Sequence, residues 1–97
     1  MYVVTVTFEI APDQIEAFRI AIAAQAKNSL DLEAACKQFD VCFDPERPEV
    51  CFLYEKYDDR AAFDLHLASD HFKNFDATVG SWIVSKQVNT WNEQPSQ

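Results

Sequence analysis

Apolar and polar positions along the chain fall into rhythms that predict the order strand, helix, strand, strand, helix, strand. Tyr2 to Ile10 alternates and carries Val3, Val4, Thr5, Val6 and Thr7, the β-branched composition of a strand on a pleated sheet. Ala11-Pro12-Asp13 stops that strand. Pro12 suits a first helical position, and Asp13 and Glu16 suit the positive end of a helix dipole. Ile15, Phe18, Ile22 and Ala26 follow at helical spacing and make one apolar stripe. Asn28 to Ala35 is expected to be a transition containing a short extra helical turn.

Lys37 to Asp44 predicts a second strand with Phe39, Val41 and Phe43 on one side. Asp44-Pro45-Glu46-Arg47-Pro48 cannot continue a ladder, because two prolines lack the donor, so it turns the chain into a third strand, Val50 to Tyr57. Asp58-Asp59 can cap a second helix from about Arg60, with Ala62, Phe63, His66 and Leu67 facing inward. Ser69 reads as a cap for a local restart through His71, Phe72 and Phe75, and Gly80 ends the region. Trp82 to Trp91 predicts the last strand. Residues 1–92 are expected to form one domain and 93–97 a polar tail.

This order matches an α+β, ferredoxin-like βαββαβ arrangement: one antiparallel sheet with its helices on one face. The opposite sheet face then also carries apolar side chains, and an uncovered apolar face normally meets a partner. A homodimer with sheets face to face is the expected solution.

Composition narrows the function. The 97 residues carry a formal net charge of −8, and the eight Lys and Arg are dispersed, so nucleic acid and anionic membrane are not expected partners. No apolar run approaches the ~20 residues of a membrane span, and Thr5, Thr7 and Glu9 interrupt the first apolar segment, which argues against a secretory signal. Three cysteines (Cys36, Cys42, Cys51), an odd number in no metal-like spacing, fit reduced thiols in the cytoplasm. A single glycine excludes a phosphate-cradling glycine loop, and neither HExxH nor CxxC occurs. No metal, flavin or nicotinamide is therefore expected.

The chemistry concentrates in Tyr54-Glu55-Lys56-Tyr57 and the following helix with His66 and Ser69-Asp70-His71-Phe72. A second patch is Glu33-Ala34-Ala35-Cys36, then Phe39-Asp40-Val41 and Asp44-Pro45. In their joint order these runs resemble the antibiotic biosynthesis monooxygenase family across nearly the whole chain. Ala35 departs from the pattern, standing where the family often has Gly. The resemblance implies a dimeric α/β barrel with a pocket between sheet and helices, and oxygenases that oxidise phenols, anthrones or quinols with O2 without metal or flavin. It also admits an isomerase of a phosphorylated dicarbonyl compound, and related barrels that bind or degrade haem.

On this reading His66, His71 and Glu55 are the candidate catalytic groups. An imidazole titrates near neutrality and can accept a phenolic proton, whereas a core-edge histidine would merely bond to backbone. Glu55, buried between aromatics, would gain a raised pKa or orient a histidine; a structural salt bridge is the alternative. Phe39, Phe43, Tyr54, Phe72, Phe75 and Trp82 are the candidate walls of an aromatic substrate pocket, and Glu33 is expected to support the turn before the second strand. A phosphorylated substrate would need cations at the mouth, for which Lys56, Arg60 and Lys73 are nearest in sequence. A third alternative is a non-catalytic domain that holds a small hydrophobe.

Overall fold

The structure, a computed structural model, describes residues 1–95; Ser96 and Gln97, the end of the expected tail, lie outside them. Four strands, β1 (Tyr2–Ile10), β2 (Cys36–Phe43), β3 (Val50–Tyr57) and β4 (Ile83–Asn92), form one antiparallel sheet in the order β2-β3-β1-β4. Three helices, α1 (Ile15–Leu32), α2 (Arg60–Ala68) and α3 (Asp70–Val79), accompany it. This is the ferredoxin-like α+β fold. No described helix is long and apolar enough to cross a membrane.

Strand alternation sorts the side chains. Val4, Val6, Phe8 and Ile10 of β1 and Cys51, Leu53 and Tyr57 of β3 are buried together with Phe18 and Ile22 of α1. Phe8 and Phe18 meet edge to face at 5.4 Å between centroids, and Phe18 is fully buried. The buried thiols of Cys36 and Cys51 are pushed up to about 11 and about 12, chiefly by burial, so both act as small apolar groups.

Two sequence expectations are corrected here. The segment 28–32 is no transition but the last turn and a half of α1. Lys27 pairs with Asp31 one turn on, and buried Ser29 donates to the Gln25 carbonyl at 2.8 Å, so tertiary burial carries the helix through residues of middling propensity. Trp82 does not open the last strand. It closes a short 3-10 turn, Gly80–Trp82, whose Trp82 carbonyl accepts from Ala11 N–H at 2.8 Å.

The restart at Ser69 sits where the pattern put it. Asp59 caps α2 by accepting from Ala62 N–H, and α2 ends at Ala68. Ser69 is extended (φ −69°, ψ 149°), donates its hydroxyl to the His66 carbonyl at 2.7 Å and accepts from Phe72 N–H at 3.3 Å. On an unbroken helix, residues five apart would lie roughly 140° apart. The break turns His71 back, and the His66 and His71 rings stand 5.8 Å apart. Replacing Ser69→Ala removes the cap at a cost of about 1 kcal/mol. The melting temperature should fall by about 4–8 °C for a chain of this size, read by thermal denaturation; an unchanged midpoint would show that the cap contributes nothing.

Candidate functional site

Helices and sheet enclose a cleft of about 430 Å³, counting its open mouth. Its sheet side is built by Val4, Val6, Phe8, Phe39, Leu53 and Glu55, with Lys86 and Val88 of the edge strand β4. Its helical side is built by Ile22 and Gln25 of α1, Phe63, His66 and Leu67 of α2, and Phe72 and Phe75 of α3. The walls are apolar apart from Gln25, Glu55, His66 and Lys86. Leu67, expected to face inward, reaches the cleft but stays 40% exposed.

His66 is buried among rings: Phe72 lies 5.1 Å, Tyr57 5.3 Å and Phe63 6.1 Å from it, centroid to centroid. Its Nδ1 lies 2.8 Å from Glu33 Oε2. A carboxylate oxygen only accepts, so Nδ1 carries the hydrogen and donates it. Nε2, on the opposite edge of the ring, makes no hydrogen bond to protein among the described residues. Burial lowers the pKa of His66, and the Glu33 hydrogen bond opposes that shift without reversing it.

His71 reaches the same carboxylate from α3, with Nε2 2.6 Å from Glu33 Oε2. That contact is short yet poorly aligned: Nε2 is fully occluded and has no hydrogen-bond partner of proper direction. Nδ1 donates to Gln25 Oε1 over a long 3.4 Å. His71 lines a second, more polar groove between α1 and α3, with Asn28, Asn74 and Thr78.

Glu33, expected to support the turn before β2, does so through its carbonyl, which accepts from Cys36 N–H at 3.1 Å, while its side chain joins the two histidines. It sits just past α1, extended (φ −116°, ψ 103°), where its N–H caps Ser29 and its side chain turns toward α2. Sequence distance hid this, since 33 positions separate Glu33 from His66. Glu55, expected to gain a raised pKa or to orient a histidine, lines the cleft and orients neither ring. Its Oε1 accepts from Tyr57 O–H at 2.5 Å, and burial raises its carboxyl to about 7.

Of the six aromatic candidates, Phe39, Phe72 and Phe75 line the cleft. Tyr54 alternates with Glu55 and so projects from the other sheet face. Phe43 lies beneath the Arg19 guanidinium, whose carbon is 4.0 Å from the ring centroid, and Trp82, the last residue of the 3-10 turn, packs on the core; neither lines the cleft. Lys56 pairs with Glu93 at 2.6 Å and Arg60 lines a groove near the N-terminus; these and Lys73 also lie outside the cleft lining, which instead has Lys86.

The raised Glu55 has a thermodynamic consequence. Its folded pKa lies above the ordinary 4.5, so it stabilises the fold when protonated, and that stability is lost as pH rises from about 4.5 through about 7. Taken in full the loss is about 3 kcal/mol. Glu55→Gln stays neutral and can still accept from Tyr57. Its melting temperature should exceed the parent's at pH 8 and match it near pH 4.5; a difference independent of pH would refute the buried-carboxyl assignment.

Comparisons agree with this architecture. The family model for antibiotic biosynthesis monooxygenase matches residues 1–78. A Nitrosomonas europaea protein assigned to the antibiotic biosynthesis monooxygenases is 26% identical, with 96% of this chain and 98% of that one covered and a TM-score of 0.91. Rv0793 of Mycobacterium tuberculosis is 25% identical, with 98% and 96% covered and a TM-score of 0.89. SO0527 of Shewanella oneidensis is 26% identical, with 93% and 87% covered and a TM-score of 0.84. No curated protein matches. With a family model spanning most of its length and a cleft built between sheet and helices, the chain belongs to the antibiotic biosynthesis monooxygenase family.

Proposed function

We propose that this protein is a cofactor-independent monooxygenase that oxidises a small phenol or quinol with O2 in the cleft between sheet and helices. One observation carries the reading: a neutral-leaning imidazole, His66, is held by Glu33 through Nδ1 and has its other nitrogen free at the wall of an apolar cleft. This is the arrangement of an oriented general base. His66 Nε2 takes the phenolic proton, and Glu33 stabilises the imidazolium that forms. The electron-rich anion gives one electron to O2, and the radical pair combines to a ring hydroperoxide. Cleavage of its O–O bond with loss of water leaves the quinone. The cleft supplies orientation and solvent exclusion, with Phe39, Phe72 and Phe75 against the ring of the substrate. In this reading Glu55, titrating near neutrality, donates a hydrogen bond to a quinone oxygen.

A phosphorylated dicarbonyl substrate is less well served. A phosphate needs convergent donors, and the cleft lining has the single cation Lys86.

The functional unit is proposed to be a cytoplasmic homodimer. Tyr54 shares the far sheet face with Phe52, 40% exposed, and Trp91, 55% exposed, and this face is the surface on which a second copy would close. Sedimentation at micromolar concentration should give a dimer; a stable monomer would refute this.

Oxygen uptake by metal-free protein on a panel of quinols and anthrones tests the activity. On an accepted substrate, His66→Gln should lower turnover by about 10²–10⁴-fold, and Glu33→Gln should lower it as well. Because His66 is needed unprotonated and burial lowers its pKa, the acid limb of the pH–rate profile should have its midpoint below the ordinary value of about 6.5. Turnover in His66→Gln equal to the parent's would rule out this base.

A further inference from the structure

We infer that Glu33, His66 and His71 form a seat for one divalent transition-metal ion of the zinc class, and that its occupancy switches off the proposed base. The three side chains present ligand atoms that all lie within 4.8 Å of one another, one carboxylate oxygen and two imidazole nitrogens. Two imidazoles with one carboxylate suit zinc and its neighbours rather than calcium or magnesium, which take oxygen ligands. The set comes from three segments that the fold fixes independently: the end of α1, the last turn of α2 and the first turn of α3.

The second observation is His71 Nε2. It is occluded and lies 2.6 Å from Glu33 Oε2, yet its ring axis misses that oxygen, so a hydrogen bond does not account for its position. An ion beside the line between the two atoms would receive both. Ligands of a tetrahedral zinc stand roughly 3.4 Å apart at ~2.0–2.1 Å bond lengths. The present separations of 2.8 Å and 2.6 Å to Glu33 would therefore open by less than ~1 Å, within reach of a small rotation of the Glu33 side chain. Nδ1 of His71 already donates to Gln25 Oε1, the outer contact that leaves Nε2 as the metal-binding nitrogen. His71 also lines an open groove between α1 and α3 with Asn28, Asn74 and Thr78, and a chain of net charge −8 draws cations to its surface.

Coordination and base catalysis exclude each other at His66. Metal on Nδ1 displaces the hydrogen that Glu33 now accepts, and in the neutral ring that proton moves to Nε2. Nε2 changes from acceptor to donor and can no longer take a phenolic proton. Binding stands independently of the oxygenase reading; only the inhibition rests on it.

The test is made on the full chain without substrate. Zinc chloride is titrated by calorimetry, with bound metal counted by elemental analysis after dialysis, in parallel in a Cys42→Ser chain that lacks the exposed thiol. One zinc per chain is expected in both, with affinity reduced by more than about 10-fold in Glu33→Gln and in His71→Gln. A long-range proton–nitrogen spectrum of the two histidines needs no substitution, and should show the His66 hydrogen moving from Nδ1 to Nε2 as zinc is added. Absence of stoichiometric zinc, affinity unchanged in both variants, or a His66 tautomer unmoved with zinc bound would each overturn the proposal. Since none of these readings uses turnover, a failed oxygenase assay leaves the metal result intact.

Discussion

One carboxylate oxygen organises this site. Glu33 Oε2 lies 2.8 Å from His66 and 2.6 Å from His71, and it ties the end of α1 to the adjoining ends of α2 and α3. His66 could not be buried cheaply without such a partner, because an imidazole taken from water must have its N–H accepted. The break at Ser69 makes the sharing possible, since a continuous helix would present the two rings to different neighbours. The tautomer of His66, the direction of its free nitrogen and the closeness of the two rings all follow from this contact.

Burial acts on Glu55 and His66 in opposite directions and to the same end. Burial raises Glu55 to about 7 and lowers His66, so each leans toward its uncharged form in one apolar space. Such a space holds both groups without stripping water from a full charge. It also keeps a carboxyl and an imidazole within one lining. Lys86 is the only Lys or Arg in that lining, and it stands on the exposed edge strand β4.

Much of the fold was legible in the sequence because its signals are local. Alternation in Tyr2–Ile10, the stripe of Ile15, Phe18 and Ile22, the two prolines between β2 and β3, and the Ser69 restart each depend on near neighbours. The misreadings also have local causes. Asn28 and Ser29 are indifferent helix formers, and burial of Ser29 with the Lys27–Asp31 pair carries α1 on to Leu32. Trp82 looked like strand because aromatic residues favour strands, yet its carbonyl is committed to Ala11 and its backbone to a 3-10 turn.

For the site, the sequence by itself determined the inventory: two histidines, a carboxylate between aromatics on one strand, and phenylalanines at positions that can face inward. It also determined that His66 and Glu55 would stand on elements packed against each other. Which side chains share a cleft was decided only by the tertiary structure. Strand parity sent Tyr54 to the far face, Phe43 at the end of β2 packs under Arg19 outside the cleft, and the sheet order brought Lys86 on β4 alongside Phe8 on β1. Glu33 is the sharpest case. Its partners lie 33 and 38 positions away. Local spacing carries no information about a contact that exists only because α1 ends, and β2 begins, beneath the junction of two later helices.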